Sequence, residues 1–160
     1  MWGESIFTES TLKDGILEKA NLGRADLRNA NLESANLVKA NLIRANLIQA
    51  NLIGANLKEA HLEGSDLDWA DLRRANLTKS HLKGADLIGT NLEEANLIGA
   101  NFAEANLINA NFTGANLKGA LNLTIDQLSK VETLYHAKLD KKFLNPLKKN
   151  YPALFEEPKQ

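Results

Sequence analysis

The sequence predicts an all-β solenoid closed at its C-terminal end by a short helical cap. Three observations carry that prediction. A five-residue repeat runs unbroken through most of the chain, its period suits neither an amphipathic helix nor a straight strand, and it gives way to helical spacing near the C-terminus. The repeat is plain in Ala20-Asn21-Leu22, Ala25-Asp26-Leu27 and Ala30-Asn31-Leu32, and continues in step to Ala115-Asn116-Leu117.

With the Leu position taken as the centre, Phe7, Leu12 and Leu17 keep the phase, so residues 5–119 form 23 pentads without an insertion. Twenty centres are Leu and three are Phe (Phe7, Phe102, Phe112). Two residues before the centre stands Ala in 17 pentads and Ser5, Ser10, Gly15, Ser65, Ser80 or Thr90 in the others, all small. On an α-helix, at about 100° per residue, successive centres would fall ~140° apart and make no stripe. On one strand the odd step would send them to opposite faces, although the small residue and the centre, two apart, share a face. A chain that turns after each pentad reconciles these facts: centre and small residue point to a common axis, and the residue between them points outward. That intervening position is mostly Asn or Asp, side chains that tolerate turns and hydrogen-bond to nearby backbone.

These residues resemble the pentapeptide-repeat family, whose A-(N/D)-L-x-x motif the chain carries over residues 5–119. The resemblance implies a right-handed quadrilateral β-helix with four pentads per coil, hence nearly six coils and a rod roughly 28 Å long at the spacing of paired strands. Charge pairs twenty residues apart favour that register mildly. Six are opposite (Lys13/Glu33, Lys39/Glu59, Glu59/Lys79, Glu63/Lys83, Arg73/Glu93, Arg74/Glu94) and three are alike (Lys19/Lys39, Arg24/Arg44, Asp66/Asp86), whereas an offset of 15 gives five of each.

Residues 1–4 form a lead-in, and Trp2, Ile6 and Phe7 are the apolar groups available as an N-terminal lid. That thin cover leaves room for a monomer or a weak end-to-end homodimer. Residues 120–160 form the helical cap and tail, which the resemblance likens to the helical caps of cyanobacterial relatives. Thr124 and Gln127 read as a capping box, and Leu128, Val131, Leu134, Tyr135 and Leu139 recur at helical spacing as one apolar face. A second helix starts after Asp140, carries Phe143, Leu144 and Leu147, and is bent or ended by Pro146. Tyr151 to Phe155 reads as an extended strap.

Composition narrows the function. Nineteen Lys and Arg against 20 Asp and Glu give a net charge of -1, with no field to gather nucleic acid or anionic lipid. The absence of Cys removes thiol chemistry and Cys-built metal sites. Neither a leader pattern nor an apolar run near the ~18 residues of a membrane span is present, so a cytoplasmic protein is expected. No catalytic constellation stands out, and no cofactor is expected. His61 and His81, twenty residues apart at outward positions with Glu63 beside them, are the one pair spaced to share a metal. Asp66, Asp68 and Asp71 cluster, but as exposed carboxylates on a flat side they read as solvated surface.

Apolar residues just after the centre are the stronger anomaly, because that position otherwise carries mostly Lys, Glu or Arg. Val38, Ile43, Ile48 and Ile53 occupy it in four consecutive pentads, a girdle around one coil, and Ile88, Ile98 and Ile108 recur further along near Trp69. A contiguous exposed apolar area marks an interface. The expected function is therefore a non-enzymatic scaffold that binds an unidentified protein partner through its flat sides, without nucleic acid or membrane. The resemblance also brings an alternative, since some of the family are DNA mimics that bind gyrase, a type II topoisomerase, and confer quinolone resistance. A 28 Å imitation of DNA would need roughly 16 negative charges. The repeats carry 12 basic against 14 acidic residues.

Overall fold

The chain changes direction every five residues, and that turn organises everything above it. The computed structural model describes residues 5–158. The outward residue of each pentad forms a parallel bridge with the residue twenty positions on, from Ile6↔Asp26 through His61↔His81 to Asn101↔Leu121. A register of twenty on a repeat of five means four pentads to a turn. Each side supplies a single bridging residue, too short for a strand, so the solenoid is a stack of isolated bridges.

The turn closes because, in a pentad whose outward residue is Asn, every backbone donor has an acceptor. Around Leu42, the Asn41 N–H donates back to the Ala20 carbonyl (2.9 Å), Leu42 forward to His61 (2.7 Å) and Arg44 forward to Glu63 (3.0 Å), while Ala45 donates to the Leu42 carbonyl (3.0 Å) across the turn. The fifth donor, Ile43 N–H, goes to the side chain of Asn41, whose Oδ1 lies 3.0 Å away. The Asn or Asp position is thus the bridging residue, not the turn residue. The strained conformation falls instead on the last residue of each pentad, from Glu9 to Gly119, where φ is +54° to +67°. Seven of these are Gly; the others accept a left-handed backbone at about 1–2 kcal/mol each. Asn side chains also stack between coils, with Asn41 Nδ2 donating to Asn21 Oδ1 (3.1 Å) and Asn76 Nδ2 to Asn56 Oδ1 (3.2 Å).

Inside, every centre from Leu22 to Leu117 is buried, as are the small residues from Ala25 onward. Phe102 and Phe112 meet edge to face at 6.5 Å between ring centroids. Where the small position is polar its hydroxyl can turn back to a carbonyl, as Ser65 does to Leu62 (2.8 Å) and Thr90 to Leu67 (2.9 Å). Phe7, Leu12 and Leu17 are only partly buried at the N-terminal end. Ile6, expected in a lid there, stands outward and 76 % exposed. Trp2, the other expected lid residue, lies outside the described residues.

The cap departs from the sequence expectation. Helix α1 (Ile125–Leu128) starts at the predicted capping box, with Gln127 N–H on Thr124 Oγ1 (3.1 Å), but it stops after one turn. Its Gln127 side chain donates to the Phe102 and Ala105 carbonyls (2.9 and 2.8 Å), tying the cap to the coil beneath. The residues assigned to one helical face then resume the solenoid with two residues added: Asn111 bridges Thr133 and Asn116 bridges Lys138. Leu134 and Leu139 are buried as new centres, and Thr133 takes the Asn role by accepting the Tyr135 N–H on its Oγ1 (3.0 Å). Spacings of three to five residues in a short apolar run fit a helix and a pentad alike.

Helix α2 (Lys141–Asn150) follows Asp140 and buries Phe143 and Leu147. It runs on four residues past Pro146 rather than ending there. The Asp140 carboxylate accepts from Gly119 N–H (3.1 Å) in the coil below, not from its own helix. The expected extended strap is a 3₁₀ turn, Pro152–Phe155, whose Leu154 carbonyl accepts the Leu134 N–H (2.6 Å). A donor that would otherwise seek another coil is thereby satisfied. No helix among the described residues is long and apolar enough to cross a membrane.

Of the six opposite charge pairs at offset twenty, three close as ion pairs: Lys13–Glu33 (3.1 Å), Lys39–Glu59 (3.3 Å) and Arg74–Glu94 (2.7 Å). In the other three, Arg73 turns to Asp71, Lys83 to Glu104, and Glu59 is held by Lys39.

Replacing Leu67 with Lys places a charge in a column with neither water nor a partner, a cost of several kcal/mol. The expected outcome is loss of cooperative thermal unfolding by circular dichroism. Lys58→Ala, on the exposed surface, is expected to move the transition by less than about 0.5 kcal/mol.

Candidate functional site

The girdle residues stand where the turn begins. The N–H groups of Val38, Ile43, Ile48 and Ile53 are held by the Oδ1 atoms of Asn36, Asn41, Asn46 and Asn51 at 3.0–3.3 Å, which fixes the side chains outward. Four consecutive pentads occupy four different sides, so the girdle is a ring and not a flat patch. Only Ile43 is as much as 37 % exposed; the other three are half-buried. Ile98 is 40 % exposed on the side of Val38.

The remaining apolar residues do share a side. Ile48, Ile88 and Ile108 are separated by multiples of twenty, and Trp69 closes the turn beside them. Trp69 is 61 % exposed and Ile108 41 %, while Ile88 is half-buried. The indole rests against Gly89 in the next coil, where a Cβ would fall 2.6 Å from ring carbons Cε3 and Cζ3. Backbone bonds lock the stack: Trp69 N–H donates to the Ile88 carbonyl and Gly89 N–H to that of Ile108, both at 2.9 Å. The result is an apolar ridge along one side of the rod.

Carboxylates flank the ridge. Asp66 and Asp86 bridge directly, and Asp68 accepts the Ile88 N–H on its Oδ1 (2.9 Å). Burial pushes the Asp68 carboxyl above the usual range; the Ile88 bond opposes this, and the Asp66 and Asp86 charges add to it. Lower on the same side, Arg28 grips Asp26 at 2.9 and 2.7 Å and lowers its pKa through that hydrogen bond. Asp71, grouped with Asp66 and Asp68 by sequence, lies on the next side in a bidentate pair with Arg73 (2.6–3.0 Å).

His61 and His81 come together as their spacing predicts. Their rings stack with centroids 4.5 Å apart and planes inclined by 17°. Both Nδ1 atoms face one carboxylate oxygen, Glu63 Oε1, at 3.3 and 3.8 Å. The sequence does not single out Ile16 or Leu121, which are 88 % and 54 % exposed. The signal was present, for both are apolar residues at the outward Asn position.

The family profile described as pentapeptide repeats matches residues 5–42, 40–78 and 80–119, as eight copies. No curated protein is a significant match to the chain. Among solved structures, the pentapeptide-repeat protein Rfr23 from the cyanobacterium Cyanothece 51142 is 33 % identical with a TM-score of 0.53; the match covers 72 % of this chain and 64 % of Rfr23. The chain thus spans just under two thirds of that relative. HetL, a pentapeptide-repeat protein involved in heterocyst differentiation regulation in Nostoc, is 33 % identical over 86 % of this chain and 71 % of its own, with a TM-score of 0.30. QnrB1, a plasmid-mediated fluoroquinolone resistance protein, shares the fold with a TM-score of 0.76 at 24 % identity, over 89 % of this chain and 70 % of that one.

In a Trp2→Phe background, Gly89→Ala is expected to shift Trp69 fluorescence to the red, because the new methyl displaces the indole into water. Gly84→Ala carries the same backbone strain at φ +63° but meets nothing within 4 Å, and should leave the emission unchanged. Asp68→Asn keeps the acceptor for Ile88 and removes the charge. A carboxyl with a raised folded pKa is destabilising above that pKa, when it is ionised in both states, and neutral in both states below its unfolded pKa. The Asp68→Asn variant should therefore have a higher denaturation midpoint than the parent at pH 7, and the gain should vanish as pH falls through the folded pKa of Asp68 into the acid range.

Proposed function

The chain belongs to the pentapeptide-repeat family, and from that premise we propose that it is a non-catalytic scaffold which binds another protein along one side of its solenoid. The observation that carries the proposal is the ridge of Trp69, Ile88 and Ile108, with Ile48 below it. A large indole held 61 % exposed by the backbone, in line with branched aliphatic groups, is a preformed anchor whose ordering cost is already met. Asp66, Asp68 and Asp86 around it suit a partner segment that sets an apolar knob between Lys or Arg side chains. The full girdle serves less well, since one partner would have to encircle the rod to touch all four residues.

The DNA-mimic alternative is weaker. The repeats lack the negative field it requires, and the likeness to QnrB1 is one of fold. A gyrase supercoiling assay separates the readings, the expected outcome being no change in supercoiling.

Affinity capture from the source cell tests the proposal directly. Trp69→Ser/Ile88→Thr/Ile108→Thr is expected to lose the protein captured by the parent chain, with folding intact because Thr keeps β-branching. Ile98→Thr, on another side, should retain it. Equal recovery by the triple variant would remove the ridge from the function.

A further inference from the structure

We propose that His61, Glu63 and His81 form a binding site for a divalent d-block cation of the Zn²⁺ class, clipping two successive coils together. The three side chains offer one ligand atom each within 4.8 Å of one another. A tetrahedral ion with bonds of 2.0–2.1 Å needs ligand atoms about 3.3 Å apart. His61 Nδ1 and Glu63 Oε1 already stand 3.3 Å apart, and His81 Nδ1 is 3.8 Å from the same oxygen. Both imidazoles are half exposed, at 44 % and 45 % for the side chains, so the stacked rings have space to open and aim their in-plane lone pairs at a shared ion. Two imidazoles and a carboxylate suit Zn²⁺, whereas Mg²⁺ and Ca²⁺ prefer all-oxygen shells.

Two further observations point to a ligand. The first concerns the fold itself. In this column the outward position is Asn21, Asn41 and Asn101 in neighbouring coils, and the Asn oxygen receives the N–H two residues on, as at Gly23 (3.3 Å), Ile43 (3.0 Å) and Ala103 (3.1 Å). His at 61 and 81 has no such oxygen, so two stacked pentads forgo the bond that closes the turns after Asn21, Asn41 and Asn101. Folding alone favours Asn at both positions, and a pair of His directly above one another is what chelation requires.

The second is the state of Glu63. Its Oε2 is shut off from solvent and has no hydrogen-bond partner. Lys83, one coil on in the same column, turns away to Glu104 at 3.7 Å, and among the described residues the charged-group contacts of Glu63 are with the two imidazoles. A divalent ion shared with the two imidazole nitrogens would supply this carboxylate with a cation.

Equilibrium dialysis of the full chain against Zn²⁺ is expected to give one bound ion per chain and a melting temperature that rises with Zn²⁺ but not with Mg²⁺ at equal concentration. His61→Asn/His81→Asn should lose the ion and, without metal, melt at or above the parent temperature, because both turns regain their acceptor. Glu63→Gln should weaken binding by roughly 10- to 100-fold or more, the range for losing even an outer partner of a metal ligand. Retention of Zn²⁺ by the double Asn variant, unchanged affinity in Glu63→Gln, no stoichiometric binding by the parent, or loss of the ion on replacing instead the third histidine, His136 in the C-terminal cap, would each overturn the proposal.

Discussion

The structure depends on one hydrogen bond, from a backbone N–H to the side-chain oxygen of the Asn or Asp two residues before it. A side only five residues long cannot satisfy its donors by strand pairing alone, because the N–H of the residue that opens the turn meets no backbone carbonyl of a neighbouring coil. The outward carboxamide supplies that acceptor from within the pentad. With it in place the other four donors reach carbonyls of the same or adjacent coils, and the chain can turn sharply without leaving a polar group stranded. Leu fills the axis, but the Asn bond lets the backbone reach it.

The same bond explains which parts of the fold were legible in the sequence. Period, inward centres and outward Asn are all consequences of a five-residue turn, and each is written in residue type. The left-handed residue is written more faintly. Seven of the chain's ten Gly fall at position five of the pentad, but the other sixteen pentads carry Glu, Asp, Lys, Arg, Asn, Gln, Ser or Trp there, because an exposed side chain tolerates that backbone at modest cost. The cap was hidden for a different reason. Thr133 and Lys138 replace Asn as bridging residues, and α1 inserts two residues that break the phase, so Leu134 and Leu139 look helical until their bridges to the coil below are seen.

The candidate surfaces divide along similar lines. Sequence spacing brought His61 over His81 and placed Ile88 in line with Ile108, because offset twenty is a contact rule. It also spread Val38, Ile43, Ile48 and Ile53 around one coil, but it could not show that three of the four are half-buried, nor that Trp69 leans on a glycine. The ridge and the imidazole pair occupy different sides. The proposed partner and the proposed ion therefore do not compete for one side.

The register of twenty also governs how such a protein can change over generations. Loss or duplication of twenty residues within the array removes or adds a whole turn, and every remaining side stays aligned with itself. Loss of five rotates all that follows by a quarter turn, which would carry Ile108 away from Trp69 and leave the core intact. Stability is indifferent to the difference, since each pentad is equivalent to the next for the axis. Surface continuity is not. Length variation in this architecture is thus quantised by the outside of the rod, and a surface that needs several turns to assemble permits only whole turns to come and go.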